Sequence, residues 1–209
     1  MNGVIIETGH SGPSAPVADR VAAAFNTLDV AEWLVPDDPA ERHRIMAGQF
    51  EMLIGPALDG HGHVDAGVDL DGGLVGVAVW LDFTRADFPS PPFYDERLAE
   101  LCGEHLPRFQ ALDEAFGRHH PDPSAEPHLH LAFCAVDPAH QRKGLGALLL
   151  QQGLARLDKS GAAAYLEAAN KPLTDWYGRH GFEGRGELVL PEGPSMYPMW
   201  RAPHGAKSN

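Results

Sequence analysis

Long apolar runs are absent from this sequence of 209 residues, since no stretch approaches the roughly 20 apolar residues that a membrane-spanning helix needs. The opening residues, MNGVIIETGH, also lack the basic region and apolar segment of a secretory signal. Cysteine is scarce, because Cys102 and Cys134 are the only two and their spacing matches no disulfide framework. We therefore expect a cytoplasmic protein in a reducing compartment, without a membrane partner.

Basic residues are outnumbered, with 16 Lys and Arg against 29 Asp and Glu and a net charge of −13. That balance argues against a nucleic acid or an anionic membrane as partner. An acidic surface suits an amine-bearing partner, although solubility alone accounts for it as well. Histidine pairs at 61/63, 119/120 and 128/130 lack the paired cysteines or helical spacing of a strong zinc site, so we predict no metal.

Hydrophobic periodicity predicts an α/β layout in one domain over residues 1–203, with a disordered tail over 204–209. An Asp-Gly turn at 71–73 joins two of the strands as a hairpin. Strands are predicted over 3–8, 64–70, 74–83, 128–136, 163–168, 182–190 and 196–201. Helices are predicted from Pro16 to Leu28, over 39–58, over 94–117 with a break at Pro107, from Gly144 to Lys159, and over 173–180.

The segment AFCAVDPAHQRKGLGALLLQQGLARL, residues 132–157, places a glycine-rich basic loop between a strand and a helix. The first amides of a helix have no intrahelical acceptor, and Gly144 and Gly146 would let a phosphate approach them. Arg142 and Lys143 add positive charge. The loop lacks the third glycine of the dinucleotide fingerprint and the Gly-Lys-Ser/Thr of a P-loop. Taken alone, it is either a phosphate site or an ordinary helix start.

Its context decides between these interpretations. QRKGLG, following Val136-Asp137-Pro138, resembles the Q/R-x-x-G-x-G/A signature of the GNAT superfamily of acyl-CoA-dependent N-acetyltransferases. Downstream, Asn170 and DWYGRHGF at 175–182 resemble the superfamily's later segment. The resemblance is specific over residues 128–184, and the order of elements extends it over most of the chain.

Weaker marks resemble puromycin N-acetyltransferase and related actinobacterial members of the superfamily. They are GVAVW at 76–80, LPEGPSMYPMWR at 190–201, and the ten-residue spacing from Glu167 to Tyr177. These marks suggest a subfamily and do not establish a substrate.

The resemblance implies a GNAT fold, with a central mixed, mostly antiparallel twisted sheet of about seven strands flanked by helices. The sheet would splay at a bulge in the strand ending near Val136, and the pantetheine arm of acetyl-CoA would lie in that gap. The loop amides would hold the pyrophosphate. The residues expected to bind acetyl-CoA are Cys134, Ala135, Val136, Gln141, Arg142, Lys143, Gly144, Leu145, Gly146, Ala147 and Asn170.

Acetyl transfer from a thioester to an amine needs proton removal from the ammonium, oxyanion stabilisation and protonation of the thiolate. By resemblance, Tyr177 occupies the position of the tyrosine that donates to the leaving sulfur. His130 is the candidate base, because an imidazole accepts a proton near neutral pH. Alternation along the strand predicts that it shares one face with His128, Ala132, Cys134 and Val136. Glu167, an isolated carboxylate in an apolar strand, is the rival base, and a water chain without a dedicated side chain is a third alternative.

We interpret the sequence as that of an N-acetyltransferase acting on a primary amine of a small molecule, such as an aminonucleoside or other antibiotic-like amine. Its purpose would be antibiotic resistance. Two alternatives are acetylation of a protein or peptide, and a non-catalytic acyl-CoA-binding sensor or assembly partner. The acyl chain length is open, and the protein is expected to be a monomer or a homodimer. Specificity is expected from acidic residues and Trp33 in 28–40 and from the aromatic segment 83–96.

Overall fold

A computed structural model describes residues 3–85 and 87–203, so the tail predicted over 204–209 lies outside the described residues. The strands are β1 (Val4–Thr8), β2 (Gly62–Asp69), β3 (Leu74–Phe83), β4 (His128–Val136), β5 (Ala163–Ala168), β6 (Glu183–Gly184), β7 (Leu188–Val189) and β8 (Ser195–Arg201). The helices are α1 (Ser14–Phe25), α2 (Asp29–Leu34), α3 (Pro39–Pro56), α4 (Tyr94–Cys102), α5 (Leu106–His119), α6 (Leu145–Ser160) and α7 (Lys171–Gly178). No helix within the described ranges is long and apolar enough to cross a membrane.

The strands form a mixed sheet in the order β1-β2-β3-β4-β5-β8-β6, and β7 pairs with β8. Each described pairing is antiparallel except the one between β4 and β5. The predicted α/β fold with a mostly antiparallel sheet flanked by helices is confirmed. The described residues form eight strands, because the strand predicted over 182–190 is two short strands separated near Gly186, which has a φ of 105°.

The sheet splays between β4 and β5, as predicted. The two strands pair only from His128 to His130, opposite Ala163 to Tyr165. Beyond His130, β4 runs on to Val136 and stays paired with β3. A β-bulge accompanies the separation, because Val79 pairs with Phe133 and Trp80 with Leu131, which leaves Ala132 as the extra residue.

The bulge at Ala132 reverses which side chains of β4 point to each face of the sheet. Leu131, before the bulge, packs in the core cluster beneath α6, whereas Phe133, after it, packs against α1 on the opposite face. His130 therefore faces the α1 side, while Val136 packs against the α6 cluster. The prediction that all alternate residues from His128 to Val136 share one face is wrong, because the extra residue interrupts the alternation.

Apolar side chains are buried on both faces of the sheet. One cluster lies under α6 and α7, and another lies under α1 and α3. A further cluster joins α2, α3, α4 and α5 to β7 and β8. Of these helices, α2, α3 and α5 contribute to the walls of the cavity described below.

Two helix predictions differ from the structure. The break in the segment 94–117 falls at Gly103, whose φ is 53°, and not at Pro107. Pro107 lies in the first turn of α5, where its missing N–H costs no intrahelical hydrogen bond. The link predicted over 28–40 contains α2, whose six residues are too few for a clear periodic pattern.

Candidate active site

The loop between β4 and α6 presents backbone amides at the surface. Gln141 donates from Nε2 to the Val136 carbonyl oxygen at 3.1 Å, which ties the loop to the end of β4. Arg142 and Gly144 have φ values of 58° and 85°, and α6 begins immediately afterwards at Leu145. Gly144, as N-cap, has no side-chain acceptor for the first amides of α6. The arrangement is suited to binding a phosphate group.

A cavity of about 410 Å³ lies where β4 and β5 separate, enclosed by side chains from α1, α2, α3, α5 and α7. Most of its walls are apolar, and they include Phe25, Phe50 and Phe116. Cavities of this size and character are typical small-molecule sites. The polar or titratable side chains in its wall are Gln49, Asp113, His120, His130, Cys134, Gln141, Glu167 and Tyr177.

His130 and Glu167 form a pair in the cavity wall. His130 Nε2 lies 2.8 Å from Glu167 Oε2, and the two side chains are 15% and 7% exposed. Burial raises the pKa of Glu167, but His130, together with Tyr165 and His120, outweighs burial and holds that pKa below its ordinary value. The carboxylate is therefore ionised and accepts a hydrogen bond from the Nε2–H of His130. Nδ1 of His130 then carries the ring's lone pair and can act as a base.

Two further histidines lie beside this pair. His120 lines the cavity, with its ring centroid 5.3 Å from that of His130. Burial and then the charges of His130 and His128 lower the pKa of His120 to about 4, so it is neutral at physiological pH. His128 is fully buried, with Nδ1 2.7 Å from the Glu126 carbonyl oxygen and its ring stacked on Phe83. In 3–85 and 87–203, no three His, Cys, Asp or Glu side chains converge as a metal site.

Tyr177 reaches the cavity from α7. Its side chain is buried, its ring packs edge-on against Phe182 at 5.7 Å, and burial raises the pKa of its hydroxyl well above the ordinary value. The hydroxyl therefore keeps its proton and can act as a donor inside the cavity. Burial likewise raises the pKa of Cys134 in β4 to about 12, so this thiol stays protonated and is a poor nucleophile.

The amino-acid sequence identifies the family to which this chain belongs. Residues 27–182, about three quarters of the sequence, match the model of the acetyltransferase (GNAT) family. This chain belongs to the GNAT acetyltransferase family. As such it is an acyl-CoA-dependent N-acetyltransferase, and acetyl-CoA is the co-substrate of the family.

Solved GNAT structures share the fold along nearly the whole chain. A crystal structure described as histone acetyltransferase HPA2 and related acetyltransferase from Corynebacterium glutamicum is 24% identical, covers 99% of both chains and has a TM-score of 0.72. Arylalkylamine N-acetyltransferase 2 from Aedes aegypti is 16% identical over 96% of this chain and 99% of its own, with a TM-score of 0.59. Polyamine N-acetyltransferase from Drosophila melanogaster is 14% identical over 95% and 99%, with a TM-score of 0.55.

The cavity between β4 and β5 brings together some of the site residues that were predicted from the sequence. All three catalytic candidates line it, as do Cys134, Ala135, Val136 and Gln141. The remaining cofactor candidates, Arg142 to Ala147 and Asn170, lie outside the lining, and their contact with acetyl-CoA stays a prediction. Lys143 donates from Nζ to the Ala139 carbonyl oxygen at 2.8 Å, and Asn170 caps α7 by accepting from the Leu173 amide at 3.1 Å.

The two regions expected to set specificity, 28–40 and 83–96, contribute to the cavity in ways that differ from the prediction. The first provides apolar side chains of α2 to the cavity, such as Leu34, and none of its acidic residues. The aromatic segment 83–96 lines an adjacent depression of about 560 Å³, which shares Leu53, Asp113 and Phe116 with the cavity.

Sequence reasoning missed three polar residues of the wall, Gln49, Asp113 and His120. Asp113 lies four residues after Phe109 and three before Phe116, which places it on the buried side of α5. That spacing is a signal that the sequence does contain. His120 ends the helix at a loop and carries no comparable signal.

Proposed function

We propose that this GNAT enzyme transfers the acetyl group of acetyl-CoA to the primary amine of a small molecule with an apolar or aromatic body. The observation that carries the proposal is the mostly apolar cavity that contains the His130–Glu167 pair and Tyr177. An aminonucleoside or similar antibiotic-like amine has such a body, in line with the resemblance to puromycin N-acetyltransferase-related members. The activity would then inactivate the compound in the cytoplasm, with the enzyme as a monomer or homodimer.

The same proposal assigns the acyl donor to the loop and to the gap in the sheet. The amides of Arg142 to Ala147 would hold the pyrophosphate, because the first turn of α6 offers donors and a positive dipole end. The pantetheine arm would lie along β4 from Cys134 to Val136, where β5 has moved away. Asn170 uses Oδ1 to cap α7, so its Nδ2 is the atom that would donate to the arm.

Transfer then requires three proton movements. His130 accepts the first proton of the substrate ammonium at Nδ1, while Glu167 holds the ring by accepting a hydrogen bond from Nε2–H and stabilises the imidazolium. The amine nitrogen forms a bond to the thioester carbon, the carbon–sulfur bond breaks, and Tyr177 donates its hydroxyl proton to the departing thiolate sulfur. The second proton, which the nitrogen loses as it becomes an amide, restores the Tyr177 hydroxyl.

Thiol release from acetyl-CoA, measured with one amine at a time, tests the proposal. The panel contains aminonucleosides, arylalkylamines, aminoglycosides, amino acids and a basic peptide. We expect release with an amine that carries an apolar body, because the cavity walls can bury it. Release with the peptide alone would establish the alternative of peptide acetylation. Acetyl-CoA binding without release for any amine would favour the non-catalytic sensor.

The two glycines that cap α6, Gly144 and Gly161, allow a test of the role of the loop. Gly144→Ala should weaken acetyl-CoA binding roughly 10- to 100-fold in calorimetry, because the loop amides move and at least one charge-assisted hydrogen bond is lost. Gly161→Ala is the matched control, since Gly161 caps the other end of α6 with a similar φ of 67°. Both variants should lose comparable stability from left-handed strain, on the order of 1–2 kcal/mol. Equal acetyl-CoA affinity in the two variants would contradict the assignment.

A further inference from the structure

Asp113 is a carboxylate in the cavity wall that has no basic partner among the described residues. Its Oδ2 accepts from the Tyr94 hydroxyl at 3.0 Å, and that hydroxyl accepts from Gln49 Nε2 at 2.9 Å. The charged group that most affects Asp113 is Asp95, another acid. Burial raises the pKa of Asp113 to about 6, and Asp95 adds to this effect. An ionised Asp113 therefore lacks the compensating charge that burial usually requires.

Other buried carboxylates of the protein have such compensation. Asp65, with no exposed side-chain surface, lies 3.0 Å from Arg156 Nη1. Glu167 is paired with His130. Asp113 differs from both because no basic side chain of the described residues pairs with it, and because it lines the cavity, a ligand group can supply the missing positive charge.

Asp113 lies roughly one to two helical turns from the end of α5 that meets the His130–Glu167 pair. Asp113 and His120, the C-cap of α5, are seven residues apart, so their Cα atoms are about 10 Å apart along the helix axis. The His120 ring is 5.3 Å from the His130 ring. Phe116 lies between them on α5 and also lines the cavity, so the space between the two polar positions is apolar on this side.

We propose that Asp113 binds a second cationic group of the acceptor substrate, an ammonium or guanidinium that lies on the far side of Phe116 from the nitrogen that is acetylated. The proposal rests on the proposed function, since it assigns the acceptor class of the same cavity. The substrate is then a dication with an apolar or aromatic middle. One nitrogen lies at His130, the apolar middle lies against Phe116 and its neighbours, and the second cation pairs with Asp113.

A series of amines of increasing length tests this assignment. Thiol release from acetyl-CoA is measured with linear α,ω-diamines of increasing length and with the n-alkylamine of each length. We expect kcat/KM of the wild type to favour the diamine over its monoamine, with a maximum at one length. Asp113→Asn should lower that preference roughly 10- to 100-fold, as expected for the loss of a charged partner. The asparagine oxygen can still accept from Tyr94, so the contact between α4 and α5 is kept.

Glu114→Gln is the matched control, because Glu114 neighbours Asp113 on α5 but its side chain is 71% exposed. It should keep the full diamine preference. An equal loss for diamine and monoamine in Asp113→Asn would overturn the proposal and make Asp113 structural. If no amine releases thiol, calorimetry with the best-fitting diamine still decides: binding to wild type that Asp113→Asn weakens supports the site although the proposed transfer fails. No binding, or equal binding to both proteins, overturns it.

Discussion

Replacing His130 with glutamine should lower kcat/KM for the acceptor amine by roughly 10²–10⁴-fold, the usual contribution of a general base. Glutamine can still donate to Glu167 from its side-chain amide, so the buried carboxylate keeps a hydrogen bond. What is lost is the nitrogen lone pair that takes the ammonium proton. Acetyl-CoA affinity, measured by calorimetry, should stay close to that of the wild type, because the proposed role of His130 is with the acceptor amine and not with the acyl donor.

The pH profile separates a base from a positioning residue. The acid limb of the kcat/KM profile should differ between wild type and His130→Gln, because glutamine cannot accept the proton of the ammonium. His120 should not add a limb of its own above about pH 5, because burial holds its pKa near 4. His43→Gln is the matched control, since His43 Nε2 forms a similar 2.7 Å contact with Asp19 at the protein surface. Rates of His130→Gln within a few-fold of wild type from about pH 6 to 9 would contradict the assignment.

Much of the fold could be predicted because its strongest patterns are local. The bounds of β4 and β5 agree with those expected from the sequence, and the Asp-Gly turn at 71–73 joins β2 and β3 as expected. A strand of alternating or continuous apolar residues and a hairpin turn are specified by their own few residues. The same is true of the strand, loop and helix order around Gly144.

The cavity was harder to predict from the sequence, because its geometry depends on contacts between elements that are distant in the chain. The bulge at Ala132 follows from pairing with β3 and leaves no mark in the composition of β4. His120 precedes His130 by 10 residues in the chain. It belongs to the cavity wall only because α5 ends beside β4 in the folded structure. Asp113 was detectable from its spacing in α5, but its missing basic partner is a property of the packed structure.

Tyr177→Phe should lower kcat by about 10²-fold, at the low end of general acid catalysis. The thiol of the acyl donor has an ordinary pKa near 8.5, so its thiolate leaves more readily than an alkoxide and depends less on an acid. The effect remains substantial because the side chains packed around the buried Tyr177 are mostly apolar and offer few other proton donors. Burial raises the pKa of Tyr177, so the side chain holds its proton throughout the working pH range.

The affinity for acetyl-CoA distinguishes an acid from a binding residue. If Tyr177 protonates the leaving sulfur, Tyr177→Phe lowers kcat while the dissociation constant of acetyl-CoA changes little, because the hydroxyl acts mainly as charge develops in the transition state. Tyr197→Phe is the matched control, since Tyr197 packs against the same core cluster but does not line the cavity. A weaker acetyl-CoA complex with unchanged kcat would make Tyr177 a residue that binds the donor, and the thiolate would then leave without an acid from the protein.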